Sequence, residues 1–271
     1  MLVNCSNIHE LHIGKMLGLG NYREGYEGEI YGKKVAVKVA RYDGKDVSPE
    51  CINDRKNMFC YKYPYLITLW EILLSYQLDH PGIVKMLGYC VKDIRHSFSS
   101  HDPLNKRGVI SVFELGQKFD KKAKLSLKER LQFAFDLADV MDYLAHSPIG
   151  SLMIVDLKPG LNFVIIDGHL KISDVECSYA KEATCQNSKE CNWGVECVNG
   201  ECVGAKALMM MSRLKGYFTE WLNVSTIDIA PGIVQRKMQD LTTTLVNSSS
   251  ITAGQLKSEI KEIQEMIVKE I

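Results

Sequence analysis

The chain has no apolar run approaching the roughly 20 residues that a membrane-spanning helix needs. Its opening, MLVNCSNIHELHIGK, lacks the apolar core of a secretory signal peptide, so no signal segment is expected within this stretch. An excess of basic residues is missing too, since Lys plus Arg is 33 and Asp plus Glu is 33. Nucleic acids and anionic membranes select proteins with such an excess, so the balance argues against either as the main partner. No internal repeat and no low-complexity segment is visible. What remains is 271 residues, 46 % hydrophobic and 24 % charged, enough for one large domain or two lobes with a real core.

Cysteine is not scarce. Of nine, four fall in CQNSKECNWGVECVNGEC, at Cys185, Cys191, Cys197 and Cys202. Zinc sites prefer tighter pairs with histidine nearby, and here Asn, Gly and Ser fill wider gaps. The reading is a disulfide-stapled loop rather than a zinc site, with the pairing open. Cys51 and Cys60 offer a second small loop. Acceptor tripeptides for N-glycosylation at Asn223, Asn247 and, less favoured, Asn4 point with the cysteines to the secretory pathway.

From Leu11 to Tyr42 the apolar runs break at Gly18, Gly20, Gly25, Gly28 and Gly32, as in a small antiparallel sheet. PYLITLWEILLSYQL then reads as a well-buried helix, apolar nearly all round, starting at Pro64. GIVKMLGYC and GVISVFELG read as strands. A capping box, Ser126 with Glu129, opens a helix with Leu127, Leu131, Ala134, Ala138 and Met141 on one face. After the cysteine loop the chain is helical, ending in a helix with Leu256, Ile260, Ile263 and Ile267 aligned. A β-rich part of about 110 residues thus precedes a helical part, with a cleft expected between them.

Two strand-like runs end in aspartate: Asp156 closes the first in SLMIVDLKPGLNFVIIDGHLKISDVE and Asp174 the second. Singly, each starts a turn. GLGNYREG, taken alone, serves a hairpin. Lys38, however, ends the apolar strand VAVK, and a lysine there needs a carboxylate or phosphate partner. Glu71, the only acid in YLITLWEILLSYQL, is the candidate.

In this order the elements resemble a protein kinase: GLGNYR the glycine-rich loop, VAVK the lysine strand, Glu71 its helical ion-pair partner, MIVDLKPGLN the catalytic loop, SDVE the metal-binding motif. The resemblance implies an α+β, two-lobed protein-kinase-like fold, with an N-lobe and hinge over 1–116 and a C-lobe carrying the disulfide-rich loop over 117–271. It implies that Lys38, oriented by Glu71, holds ATP phosphates under Gly18 and Gly20. Asp174 and Asn162 would hold Mg2+ or Mn2+, and Asp156 would receive the acceptor's proton. Phe113 would gate the back of the nucleotide pocket, with the Glu114 carbonyl and Gly116 amide on the adenine edge.

The pattern is broken in several places. Ile154 and Val155 replace the histidine and arginine before the catalytic aspartate, and Asn162 lies six residues after Asp156, one more than standard. Arg23 replaces the third glycine, Glu176 the glycine of the metal motif, and no APE-like ending follows. From about Gly14 to the last helix, these departures together with VAVKVARYDGKDV, the Cys51 and Cys60 pair, LDHPGIVKMLGYCV, YLAHSPIGS and the cysteine loop resemble the secreted tyrosine kinases of the vertebrate lonesome kinase family. That resemblance implies an enzyme of the ER and Golgi lumen, also secreted, acting on tyrosines of secreted or extracellular proteins. A secretory kinase for serine, threonine or glycan hydroxyls, and a nucleotide-binding pseudokinase, are the alternatives.

Overall fold

The computed structural model describes residues 1–41, 58–92, 108–154, 157–158, 160–175, 178–179, 182–224, 232–247 and 251–270. They fall into two compact units: residues 1–79, 84–117 and 174–176 in the first, residues 80–83, 118–173 and 177–271 in the second.

The first unit is built on a five-stranded sheet of order β1-β2-β3-β5-β4. Its strands are β1 (His12–Leu19), β2 (Arg23–Ile30), β3 (Lys33–Ala40), β4 (Met86–Val91) and β5 (Val109–Glu114). Every neighbouring pair in it is antiparallel. Alternation in β3 decides its faces, because successive side chains point to opposite sides. Val35, Val37 and Val39 face one way and join Ile30, Ile110, Val112 and Cys90 in a buried core. That core is closed by the N-terminal segment through Val3, Ile8 and Leu11. Val3 bridges Gly88 of β4, and a Cys5–Cys90 disulfide ties the same two segments together.

Helix α1 (Met58–Gln77) also belongs to this unit and differs from expectation in two ways. It begins before Pro64, which lies inside it. An interior proline removes one N–H and costs about 3 kcal/mol, so local rules place the start at Pro64. Burial of Pro64, Ile72 and Leu74 offsets that cost. Nor is the helix buried all round, since Leu66, Trp70, Leu73 and Tyr76 are exposed. The strand expected from Gly82 likewise starts only at Met86; Ile83 instead forms a lone parallel bridge to Ile172, both in the second unit.

In the second unit, α2 (Leu127–Ala145) is central. Ser126 caps it and Glu129 returns a carboxylate to the Ser126 N–H at 2.8 Å, completing the expected capping box. Its buried face meets α3 (Ala205–Trp221) and α5 (Ala253–Glu270), and α4 (Gly232–Asn247) packs on both of those helices. Leu256, Ile260 and Ile263 of α5 are fully buried. After β6 (Gln117–Lys118), at the junction of the units, come β7 (Met153–Ile154), the hairpin β8 (Phe163–Ile166) and β9 (His169–Ile172), and β10 (Ser178–Tyr179), which pairs with β7. Asp136 of α2 holds the hairpin, accepting the Leu170 N–H at 2.8 Å.

Between β10 and α3 the cysteine loop carries the short hairpin β11 (Cys197–Val198) and β12 (Glu201–Cys202). Cys185 bonds Cys197 and Cys191 bonds Cys202, so the two closed loops interlock. The sulfurs of Cys185, Cys191 and Cys202 lie within 4.8 Å of one another, but the thiolates that zinc requires are consumed in the disulfides. The Cys51–Cys60 loop lies outside the described residues.

Candidate functional site

Strand register brings the charged residues together. Lys38 stands directly opposite Gly25 on one side and Ser111 on the other. Directly paired residues share a sheet face, and Arg23, two residues before Gly25, shares it too. Here lies the residue that sequence reasoning passed over. Arg23 was legible only as a missing glycine, yet counting by two from the partner of Lys38 places its side chain beside the lysine.

Glu71 reaches the same face from α1, with its side chain 1 % exposed. Lys38 Nζ donates to Glu71 Oε1 at 2.5 Å, and Arg23 Nη1 donates to Glu71 Oε2. Asp174, two residues beyond β9 and part of the first unit, completes the group. Its Oδ1 accepts from Arg23 Nη2 at 2.6 Å and lies 3.3 Å from Lys38 Nζ. Two cations and two carboxylates thus form a closed ring with no formal net charge. Glu71 is the one fully buried member, and its removal would leave Lys38 and Arg23 sharing the partly exposed Asp174. The Lys38 ammonium also sits 4.9 Å from the centre of the Phe113 ring, a cation–π contact.

The glycine-rich turn is held by its backbone. Gly20 N–H donates to the Arg23 carbonyl at 2.8 Å, and Arg41 Nη1 donates to the Gly20 carbonyl at 2.9 Å. Gly18 lies opposite Gly25, and a Cβ built there would meet nothing within 4 Å, which leaves the loop's edge open. At the far end of β5, Glu114 N–H donates to the Lys85 carbonyl at 3.0 Å and its carboxylate accepts the Lys85 N–H at 2.9 Å. Gly116 follows in irregular backbone.

Asn162 belongs to the second unit and is buried. Its Oδ1 accepts the Lys158 N–H at 2.7 Å, and its carbonyl accepts from the Ser173 backbone at 2.8 Å and hydroxyl at 3.0 Å. Asn162 therefore pins the end of the 158–162 turn to the residue preceding Asp174. Asp156 and Glu176 lie outside the described residues.

A β-rich unit carrying a lysine–glutamate pair beside an aspartate, and a helical unit stapled by disulfides, define a protein-kinase-like α+β fold. The comparisons agree. Over 98 % of its length the chain is 23 % identical to the extracellular tyrosine-protein kinase PKDCC of Homo sapiens. It is 26 % identical to the serine/threonine-protein kinase TNNI3K of Mus musculus over 62 % of the chain. It is 27 % identical to 3-phosphoinositide-dependent protein kinase 1 of Arabidopsis thaliana over 61 %. The resemblance to a secreted tyrosine kinase is thus met by a relative matching nearly the whole chain. The chain spans 53 % of that human protein, and 18 % and 29 % of the other two. No family model matches it.

Proposed function

We propose that the chain is the catalytic domain of an ATP-dependent protein kinase of the secretory pathway, transferring the γ-phosphate to tyrosine hydroxyls of secreted or extracellular proteins. The observation that carries the reading is the pair of the half-buried Lys38 and the buried Glu71, with Asp174 beside it. Phosphoryl transfer needs positioning and charge neutralisation, and these groups supply both. In this reading residues 1–116 are the N-lobe and hinge and 117–271 the C-lobe. Lys38 binds the α and β phosphates, Glu71 orients it, Gly18 and Gly20 admit the phosphates, and the Glu114 carbonyl and Gly116 amide meet adenine behind Phe113.

Asp174 fits a hard divalent cation such as Mg2+ or Mn2+, which takes one or two protein carboxylates and fills its other positions from phosphate oxygens and water. Asn162 would hold a second ion, and such ions neutralise phosphate charge. Asp156 accepts the proton of the acceptor hydroxyl as its oxygen bonds to the γ phosphorus, the bond to the bridging oxygen breaks and ADP leaves.

Secretory placement is supported by three disulfides among the described residues and by exposed glycosylation-acceptor asparagines at Asn4, Asn223 and Asn247. Tyrosine as acceptor is supported by the name of the human relative. Serine, threonine or glycan hydroxyls are the second reading, favoured by the serine/threonine kinases among the relatives.

The test is to incubate the purified chain with ATP, Mn2+ or Mg2+ and mixed secreted proteins, then map the phosphorylated sites. Phosphotyrosine that disappears in Asp156→Asn, with ATP binding retained, is the expected result. Phosphoserine or phosphoglycan moves the acceptor to the second reading. Nucleotide binding without product under either metal makes the chain a pseudokinase.

A further inference from the structure

Arg23 stands where the glycine-rich pattern has its third glycine, a position that ordinarily lets backbone come close to phosphate. In this chain a long cation is folded under the loop instead, with its side chain only 11 % exposed. Its guanidinium fork is split between two carboxylates, Nη1 to Glu71 and Nη2 to Asp174.

Glu71 does not need this second cation, because Lys38 already pairs with it. Asp174 is the carboxylate proposed for the metal. When a divalent cation takes Asp174, both Arg23 and Lys38 lose one partner and stay anchored on the two oxygens of Glu71. The ring is neutral with Asp174 in it and carries a net positive charge once Asp174 turns to the metal. That surplus faces the place where the phosphates of a nucleotide would lie. The planar fork freed from Asp174 matches phosphate oxygens as well as carboxylate oxygens, and arginine remains charged throughout.

We infer that Arg23 is a second phosphate-binding cation: held by Glu71 and paired with Asp174, it transfers to the nucleotide phosphates when metal-bound nucleotide enters. The inference rests on the nucleotide-binding reading above and adds a contact that the ordinary kinase pattern lacks. An opposite role is also geometrically open, in which Arg23 only plugs Asp174 and competes with the metal. The two predict opposite signs.

The experiment is calorimetric titration of adenosine, ADP and ATP, each with and without Mn2+, into the wild-type chain, Arg23→Gln and Arg23→Lys, with a melting temperature recorded for each. Losing a charge-assisted contact to phosphate should weaken ATP and ADP binding by about tenfold or more in Arg23→Gln, leaving adenosine within about twofold. Arg23→Lys, which keeps a charge for Glu71 and is the variant to use if Arg23→Gln does not fold, should lose about threefold for ATP and nothing for adenosine. Unchanged ATP affinity in these variants, with only the melting temperature lowered, overturns the inference in favour of a structural role. Tighter ATP binding overturns it in favour of a plug. A wild-type chain that binds neither adenosine nor ATP refutes the kinase reading itself, and the role of Arg23 falls with it.

Discussion

Removing the Cys5–Cys90 disulfide is the most informative perturbation of the fold, because it separates two segments far apart in sequence. The bond spans 85 residues, whereas Cys185–Cys197 spans 12. Closing a loop withdraws entropy from the unfolded chain as the logarithm of its length. This amounts to ~4.6 kcal/mol for the long loop and ~2.8 kcal/mol for the short one at 25 °C. Real crosslinks usually deliver less, so Cys5→Ser/Cys90→Ser should destabilise the first unit by about 2–4 kcal/mol. The remaining contacts, Val3 buried against the sheet and the Leu2 N–H donating to the Leu87 carbonyl at 2.6 Å, do not restrain the unfolded chain and cannot replace that term. Cys185→Ser/Cys197→Ser should cost less than its own loop entropy, because the interlocked Cys191–Cys202 bond still restrains the same residues. The assay is urea unfolding of both double variants, with hydrogen exchange of the 86–91 strand reporting on the first unit. A loss below about 1 kcal/mol for Cys5→Ser/Cys90→Ser, or a larger loss from the short loop, would refute the reasoning.

Gly88→Ala should uncouple the N-terminal segment, since a Cβ at Gly88 would lie 2.0 Å from the Val3 carbonyl oxygen; faster exchange at Leu2 and Val3 checks it, and unchanged protection contradicts it. Ser126→Ala should cost about 1 kcal/mol by leaving the first turn of α2 uncapped, measured as a shift in the urea midpoint at constant slope. His80 accepts the Gly82 N–H on Nδ1 at 3.0 Å and faces Asp139 at 3.3 Å, and burial lowers its pKa below the ordinary 6.5 despite that carboxylate. The unfolded chain then binds the proton more readily, so the stability that His80 contributes is full above about pH 6.5 and declines as pH falls toward the lowered folded value. His80→Gln should flatten stability over that window, and an unchanged slope would show that another group sets it. Asp174→Ala should abolish the Mn2+ dependence of ATP binding, read by titration with and without the metal.

Local chemistry made several features legible. The box of Ser126 and Glu129 starts a helix wherever it precedes an apolar stripe, because both partners lie within one turn. Asp167-Gly168 and Asn199-Gly200, which close two-residue hairpins with both residues at positive φ, are an equally local signal that the reading of the sequence missed. The stripe through Leu256, Ile260 and Ile263 needs only the helical period. The order of glycine loop, lysine strand, acidic helix and two aspartates indicated a protein-kinase-like fold by its resemblance to that family, while phosphate and metal chemistry accounts for the residue types.

Tertiary structure decided the rest. Four cysteines in the loop allow three pairings, and only the folded path selects the interlocked one. Nothing near Cys5 signals Cys90, since they meet only when the first residues lie along β4. The start of α1 ahead of Pro64 depends on burial supplied by a sheet distant in sequence, which local propensity cannot weigh. Arg23 is a missing glycine in one dimension. It becomes a partner of Glu71 and Asp174 because the β2–β3 register sets it on the face of Lys38, and register is a property of paired strands rather than of either strand alone.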